Sequence, residues 1–145
     1  MKKVLVLHGP NLNLLGEREP QVYGSLTLEE INRRLIEAGK EWNLEVTCFQ
    51  SNHEGELIDA LHAARQTVAG VVFNSAAYTH TSVALRDAIA AISIPVIEVH
   101  LSNLAAREDF RHVYLLAPVC RGTIAGFGWR SYWLGLLALA NLLID

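Results

Sequence analysis

The sequence predicts an α/β fold built on a parallel sheet, and three observations support this prediction. Short apolar runs alternate with segments of helical period along the whole chain, which is typical of βαβ units. Most of these runs lack polar alternation, as expected for strands that helices cover on both faces. Of the 145 residues, 51% are hydrophobic and 19% are charged. We therefore expect one domain, residues 1–145, with a substantial core.

Five apolar runs are the predicted strands. They cover residues 4–7, 44–49, 71–73, 95–99 and 113–116. With crossover helices between them, they indicate an open five-stranded flavodoxin-like parallel sheet with helices on both faces.

Apolar residues at helical spacing predict four helices. The repeating positions are Leu28, Ile31, Leu35, Ala38 and Trp42 in the first, Leu57, Ile58, Leu61 and Ala64 in the second, and Leu85, Ala88, Ile89 and Ile92 in the third. Thr27 and Glu30 have the spacing of a capping box at the start of the first helix. The fourth helix covers residues from about 131 to 143.

Residues 9–26 interrupt this alternation, because they show neither strand nor helix period. The segment is rich in glycine and proline, and it exceeds the ~12–15 residues usual for a structureless loop. Long loops of this kind commonly serve as lids over a site. We therefore expect a functional loop here.

Composition excludes several classes of partner and location. The formal net charge of −3 lacks the basic excess that nucleic-acid binding requires. The most apolar stretch, residues 133–144, is broken by Asn141 and falls short of the ~18 residues that would span a bilayer. Cys48 and Cys120 match no metal-ligand spacing and suit a reducing cytoplasm. We expect a cytoplasmic protein with no nucleic-acid or membrane partner, part of whose apolar surface lies in subunit contacts.

Polar residues follow four of the five predicted strands. The first four runs lead into HGPNLN, QSNHEG, NSAAYTHT and EVHLSN. Ligands of open α/β sheets bind beyond the carboxyl ends of the strands. The sequence therefore predicts one shared polar pocket at this edge.

Glu98 and His100 lie two residues apart at the end of a predicted strand, so their side chains leave the same face. A carboxylate in that position can fix the tautomer of the imidazole and raise its basicity, which suits a general acid. Ser102 and Asn103 follow after Leu101, and backbone N–H groups at such a turn can hold an anion. A carboxylate substrate would fit.

Within the long loop, Arg18 and Tyr23 are the side chains able to form a cation–phenolate pair. An exposed arginine stabilises a phenolate by at most ~1 kcal/mol. At 4 Å in a site of effective dielectric near 20 it contributes about 4 kcal/mol. Tyr23 can therefore act as a base only when the loop closes over the ligand.

Two other function classes remain open on this reasoning. A metal-dependent hydrolase could use His80, His100 and Glu98, although no HxH or HExxH spacing supports it. A flavodoxin-like signalling module is the non-enzymatic alternative. A phospho-receiver would need acidic residues after the first strand and an aspartate ending the third. This chain has Gly9, Pro10 and Asn11 after the first strand and Asn74 ending the third, so it lacks that chemistry. GTIAGFG at 122–128 is not a dinucleotide fingerprint, and no P-loop motif occurs.

Taken together, these segments resemble the type II 3-dehydroquinate dehydratases over essentially the whole chain. The matching blocks are GPNLNLLGEREPQVYG at 9–24, QSNHEGELID at 50–59, AAYTHTSVALRDA at 76–88, EVHLSN at 98–103, REDFRH at 107–112 and GFG at 126–128. The resemblance implies a flavodoxin-like fold, no cofactor and no metal. It also implies a dodecamer of four trimers that dehydrates 3-dehydroquinate to 3-dehydroshikimate.

The resemblance also implies roles for individual residues. Tyr23 matches the base, Arg18 its activating arginine, and His100 the proton donor, oriented by Glu98. Asn11 matches the asparagine that holds the developing enolate together with a water molecule. The positions matched to substrate binding are Asn74, Ala76, His80, Leu101, Ser102, Arg111 and, from a neighbouring subunit, Asp87. Ser75 departs from the family, which more often has proline or another small apolar residue there.

Overall fold

The computed structural model describes residues 1–17 and 19–144. Within this part of the chain, five strands and five α-helices form the framework. The strands are β1 (Lys2–His8), β2 (Leu44–Gln50), β3 (Gly70–Asn74), β4 (Val96–His100) and β5 (Gly122–Ala125). The helices are α1 (Pro20–Tyr23), α2 (Leu28–Glu41), α3 (Glu54–Thr67), α4 (Val83–Ala91) and α5 (Arg130–Leu142).

The strands form one parallel sheet in the order β2-β1-β3-β4-β5. This confirms the predicted α/β class and the five-stranded flavodoxin-like sheet. The chain moves outward from β1 in one direction to β2 and in the other to β3. The direction of winding therefore reverses between β1 and β3, and such a reversal leaves a crevice beyond their carboxyl ends.

Alternation along the strands divides the core into two layers. Val4 and Val6 of β1 pack with α2 and α5 on one face. Leu7 packs with α3 and α4 on the other. Since successive side chains of a strand point to opposite faces, an almost wholly apolar strand needs helices on both sides.

The four predicted long helices are confirmed as α2 to α5, and the capping box of α2 is present. The Thr27 hydroxyl accepts a hydrogen bond from the Glu30 N–H at 3.2 Å, and the Glu30 carboxylate accepts one from the Thr27 N–H at 3.4 Å. Both bonds satisfy N–H groups that have no partner within the helix.

The predicted position of the fifth strand, residues 113–116, is wrong. In this stretch Val113 and Tyr114 are exposed, and β5 lies later, at Gly122–Ala125. The true strand is a short, half-buried edge strand that begins with glycine and has threonine at its second position. The rule used for fully buried strands therefore could not detect it.

Residues 9–26, which have no strand or helix period in the sequence, contain two short regular elements in their described part. A 3₁₀ turn occupies Leu12–Leu14, and the single-turn helix α1 begins at Pro20, its first helical position. One turn is too short to produce a periodic pattern, although a proline at the start of a helix is a known signal. In the described part of the chain, no helix has both the length and the apolar character needed to cross a membrane.

Candidate active site

A pocket opens beyond the carboxyl ends of β1, β3 and β4, at the edge where the sequence predicts it. It brings together nine of the predicted site residues: Asn11, Tyr23, Asn74, Ala76, His80, His100, Leu101, Ser102 and Arg111. The remaining lining residues are Pro10, Leu12, Ala77, Leu104 and Arg107. Eight of the fourteen are polar, so the pocket suits a small, heavily hydroxylated or anionic ligand.

The loops after β1 and β3 approach each other closely, and this sets the floor of the pocket. The Gly9 N–H donates to the Asn74 carbonyl at 2.7 Å. A Cβ atom on Gly9 would lie 2.7 Å from the Ser75 carbonyl oxygen, closer than real contacts allow. Glycine is therefore required at position 9, and it lets the chain enter the turn that carries Asn11.

Asn11 is held in the left-handed region, with φ of 69°. Asparagine tolerates this region better than most residues. Its backbone N–H donates to the Asn52 side-chain oxygen at 3.0 Å, and the Gln50 side chain donates to that same oxygen at 3.1 Å. The segment after β2 thus fixes the backbone of Asn11, so that its side chain lines the pocket.

Asn74 ends β3 and is 2% exposed. One N–H of its carboxamide donates to the Tyr132 hydroxyl at 3.1 Å, and the carboxamide oxygen accepts from the Ala76 N–H at 3.0 Å. These bonds fix which end of the amide faces which partner. Each end retains one further hydrogen-bonding position for a ligand.

His100 and Glu98 form a buried pair at the end of β4, 5% and 3% exposed. His100 Nε2 lies 2.7 Å from Glu98 Oε2, and the Thr79 hydroxyl donates to the same carboxylate oxygen. A carboxylate only accepts, so the imidazole presents N–H at Nε2 and leaves Nδ1 as its other site for a proton.

The Tyr23 hydroxyl contacts Arg107, a cation that the sequence pattern does not identify. Arg107 donates from Nη2 to the Tyr23 hydroxyl oxygen at 3.2 Å and from Nη1 to the Ser102 hydroxyl at 3.1 Å. Burial alone would lower the pKa of Arg107, but Tyr23 and Glu108 outweigh it and raise the pKa. Arg18, the predicted partner, lies outside the described residues.

A second residue that the sequence analysis missed is Glu108, which holds both pocket arginines. Its Oε1 accepts from Arg107 Nε at 3.3 Å and from Arg111 Nε at 3.1 Å. All three residues fall within the REDFRH block, the only signal that marked them. The block has no helical or strand period, so no sequence pattern could place Arg107 beside Tyr23.

His80 lines the pocket beside Arg111. Its Nδ1 lies 2.7 Å from the Val113 carbonyl and donates to it, so Nε2 is left for a ligand. Partial burial lowers the pKa of His80, and the nearby His100 and Arg111 lower it further. The ring is therefore biased towards its neutral form.

Asp87 does not line the pocket of its own chain. It is exposed on α4, where it pairs with Arg86 at 3.1 Å. As for metals, the described residues contain no group of three or more histidine, cysteine, aspartate or glutamate side chains placed to hold an ion.

Comparisons with known proteins agree on one family. Residues 2–140 match the sequence profile described as "Dehydroquinase class II". A protein from Synechocystis sp. named 3-dehydroquinate dehydratase is 61% identical over 141 residues, covering 97% of this chain and 93% of that one. A protein of the same name from Ruegeria pomeroyi is 59% identical over 140 residues, with 97% and 94% covered. The crystal structure of type II dehydroquinase from Propionibacterium acnes superimposes with a TM-score of 0.94 at 45% identity, covering 97% of each chain.

Proposed function

The chain belongs to the class II dehydroquinases, and we propose that it dehydrates 3-dehydroquinate to 3-dehydroshikimate by an anti elimination through an enolate. One observation carries the proposal. A tyrosine hydroxyl bonded to a guanidinium and a histidine bonded to a buried carboxylate line the same pocket. The two pairs supply a base and an acid for removing a proton and a hydroxyl group from adjacent carbons.

In the first step, Tyr23 as phenolate removes a proton from the carbon next to the substrate ketone. The electron pair of that C–H bond moves into the new enolate, and the ketone oxygen becomes negative. The guanidinium of Arg107 donates directly to the phenolic oxygen, and its positive charge attracts the negative charge that the phenolate carries. We propose Arg18 as a second cation that activates Tyr23 as the base.

Asn11 stabilises the enolate oxygen, together with a water molecule. A polar side chain held in place before the reaction lowers the barrier because it need not reorient as charge develops. The backbone N–H of Asn11 donates to the Asn52 side chain, which Gln50 in turn holds by a hydrogen bond. These two bonds fix the backbone position of Asn11.

In the second step, His100 protonates the departing hydroxyl group, the C–O bond breaks and the enolate electrons form the C=C bond. The Glu98 carboxylate holds the imidazole through Nε2, so the transferred proton is carried on Nδ1. Asn74, Ala76, His80 and Arg111 bind substrate hydroxyl groups. The Leu101 backbone and the Ser102 side chain bind the carboxylate.

The proposed route uses no metal, cofactor or Schiff base. The three lysines, Lys2, Lys3 and Lys40, all lie away from the pocket. Lys2 and Lys3 begin β1, at the opposite end of the sheet from the pocket. General acid and base terms of ~10² to 10⁴ each, with enolate stabilisation, account for the catalysis.

The active form in this proposal is a dodecamer of four trimers, in which Asp87 reaches a neighbouring subunit's pocket. Asp87 and Val83 lie four residues apart on α4 and so share a face, and Val83 is 57% exposed. An apolar residue beside the exposed carboxylate is consistent with a contact surface. We also place the protein in the cytoplasm, where its two unpaired thiols, Cys48 and Cys120, would stay reduced.

The experiment that tests this function follows the ultraviolet absorbance of the enone product. The purified protein is mixed with 3-dehydroquinate, with and without a chelator. Another sample is treated with substrate and borohydride, freed of both, and assayed with fresh substrate. We expect equal rates in all samples. Absence of enone formation would refute the activity, inhibition by the chelator would indicate a metal, and inactivation by borohydride would indicate a Schiff base.

A further inference from the structure

A buried chain of hydrogen bonds leads from α2 through β1 and α5 to the active-site asparagine. Asn32 Oδ1 lies 2.8 Å from His8 Nε2, and His8 Nδ1 lies 2.7 Å from the Tyr132 hydroxyl oxygen. The Asn74 carboxamide donates to that hydroxyl at 3.1 Å. His8 and Tyr132 are both 0% exposed. Neither residue lines the pocket.

The direction of every bond in this chain is determined. The Ala76 N–H binds Asn74 Oδ1, so the amide nitrogen must face Tyr132. The Tyr132 oxygen accepts that N–H, and its own proton then requires an acceptor, which is His8 Nδ1. His8 therefore carries its proton on Nε2 and donates it to Asn32.

Burial keeps both central groups in the protonation states that this arrangement needs. Desolvation lowers the pKa of His8 to about 4, so the ring is neutral near neutral pH. Burial raises the pKa of Tyr132, so its hydroxyl keeps its proton. The chain thus has a single hydrogen-bond arrangement over the physiological pH range.

We propose that Tyr132 and His8 are positioning residues for the dehydratase reaction, which hold the Asn74 carboxamide in the orientation that binds substrate. Without the Tyr132 hydroxyl, Asn74 would keep a buried N–H with no partner. A buried donor without a partner is unfavourable, so the carboxamide would shift away from this position. The inference rests on the proposed function, since it assigns Asn74 to substrate binding.

The test is a double-mutant cycle on steady-state kinetics with 3-dehydroquinate. Y132F deletes one oxygen atom, and we expect kcat/KM to fall ~10-fold, mainly through KM. In the N74A background the same replacement should change kcat/KM less than ~2-fold, because its effect passes through Asn74. An equal loss in both backgrounds, or a wild-type KM in Y132F, would overturn the proposal.

A control separates positioning from general loss of stability. Leu139 is fully buried on the same helix, and it packs at Gly70, the opposite end of β3 from Asn74. L139A should lower the melting temperature and leave KM unchanged. A KM increase in L139A equal to that in Y132F would also contradict the proposal.

A second variant covers the case in which Y132F does not fold. N32A removes the acceptor at the outer, half-buried end of the chain. We expect a KM increase of ~3-fold that disappears in the N74A background, and an unchanged KM would count against the proposal.

If the wild-type protein itself shows no turnover, the proposed function fails. If the wild type is active and the cycles are additive, only the positioning role fails.

Discussion

Arg107 donates a hydrogen bond to the phenolic oxygen of Tyr23 at 3.2 Å, and its guanidinium carbon lies 5.4 Å from the centre of the tyrosine ring. The two residues come from different parts of the chain, Tyr23 from α1 and Arg107 from the segment after β4. A second bond, from Arg107 to Ser102, fixes the guanidinium at the pocket wall. The cation beside the proposed base is therefore held by residues that follow β4, outside the loop of residues 9–26.

Replacing Arg107 should reduce turnover more than substrate binding. A hydrogen bond to a charged group contributes about 1.5–3 kcal/mol, so R107A is expected to lower kcat roughly 10- to 100-fold. Steady-state kinetics at saturating substrate measures this loss. R65A is a matched control. Arg65 is exposed on α3, so its replacement removes the same charge outside the pocket. Equal kcat values in the two variants would contradict the role of Arg107.

Removing the charge on Glu98 should weaken the proposed acid without removing His100. E98Q keeps the size of the side chain but offers a neutral partner to His100 Nε2 in a buried site. We expect kcat to fall by about 10²-fold, at the lower end of general-acid contributions. E45Q, an exposed change at the surface of β2, is the control. A wild-type kcat in E98Q would show that the carboxylate does not assist proton transfer.

The free energy of unfolding should fall as the pH is lowered through the window set by His8. Its pKa is about 4 in the folded protein and 6.5 ordinarily, so the unfolded chain binds the extra proton between these values. The stability that the neutral His8 contributes is present in full above about pH 6.5. It declines towards pH 4, by about 1.4 kcal/mol per pH unit. Urea unfolding at fixed protein concentration should show a loss of about 2 kcal/mol from pH 6.5 to pH 5.

The matched variant for this prediction is H8Q, which cannot titrate. Its dependence on pH should be shallower than that of the wild type, whatever its absolute stability. His80, whose pKa is also lowered, is present in both proteins and cancels in the comparison. The same slope in both would exclude His8 as the source.

Replacing Ser75 with alanine should stabilise the protein. Ser75 is 0% exposed, and its hydroxyl is the buried side-chain group without a hydrogen-bond partner in the described part of the chain. A buried unpaired polar group costs about 1–3 kcal/mol, so S75A should raise the free energy of unfolding by about 1 kcal/mol. Thermal unfolding measures the change. A lower melting temperature in S75A would contradict this prediction.

How far the sequence predicts the fold depends on where each element lies. β1 to β4 and α2 to α5 were predictable because their periodicity reflects burial on one or both faces. β5 was not, because an edge strand with a half-exposed surface carries no apolar run. The helix α1 was missed for a similar reason, since one turn has no period.

In the candidate site, some contacts could likewise be predicted from the sequence and others could not. Glu98 and His100 could be paired from the sequence, since a separation of two residues on a strand places them on one face. The contact between Arg107 and Tyr23 could not, because it joins residues 84 positions apart through irregular segments. The chain from Asn32 to Asn74 likewise depends on the packing of α2 and α5 over β1 and β3, which periodicity does not specify.

The proposal that Tyr23 is the base is tested most directly by Y23F, measured for both binding and turnover. The replacement removes one oxygen atom and leaves the ring, so the dissociation constant for 3-dehydroquinate should change less than ~3-fold. At saturating substrate, kcat should fall by about 10² to 10⁴, the contribution of a general base. A Y23F protein that binds substrate and retains the wild-type kcat would contradict the account.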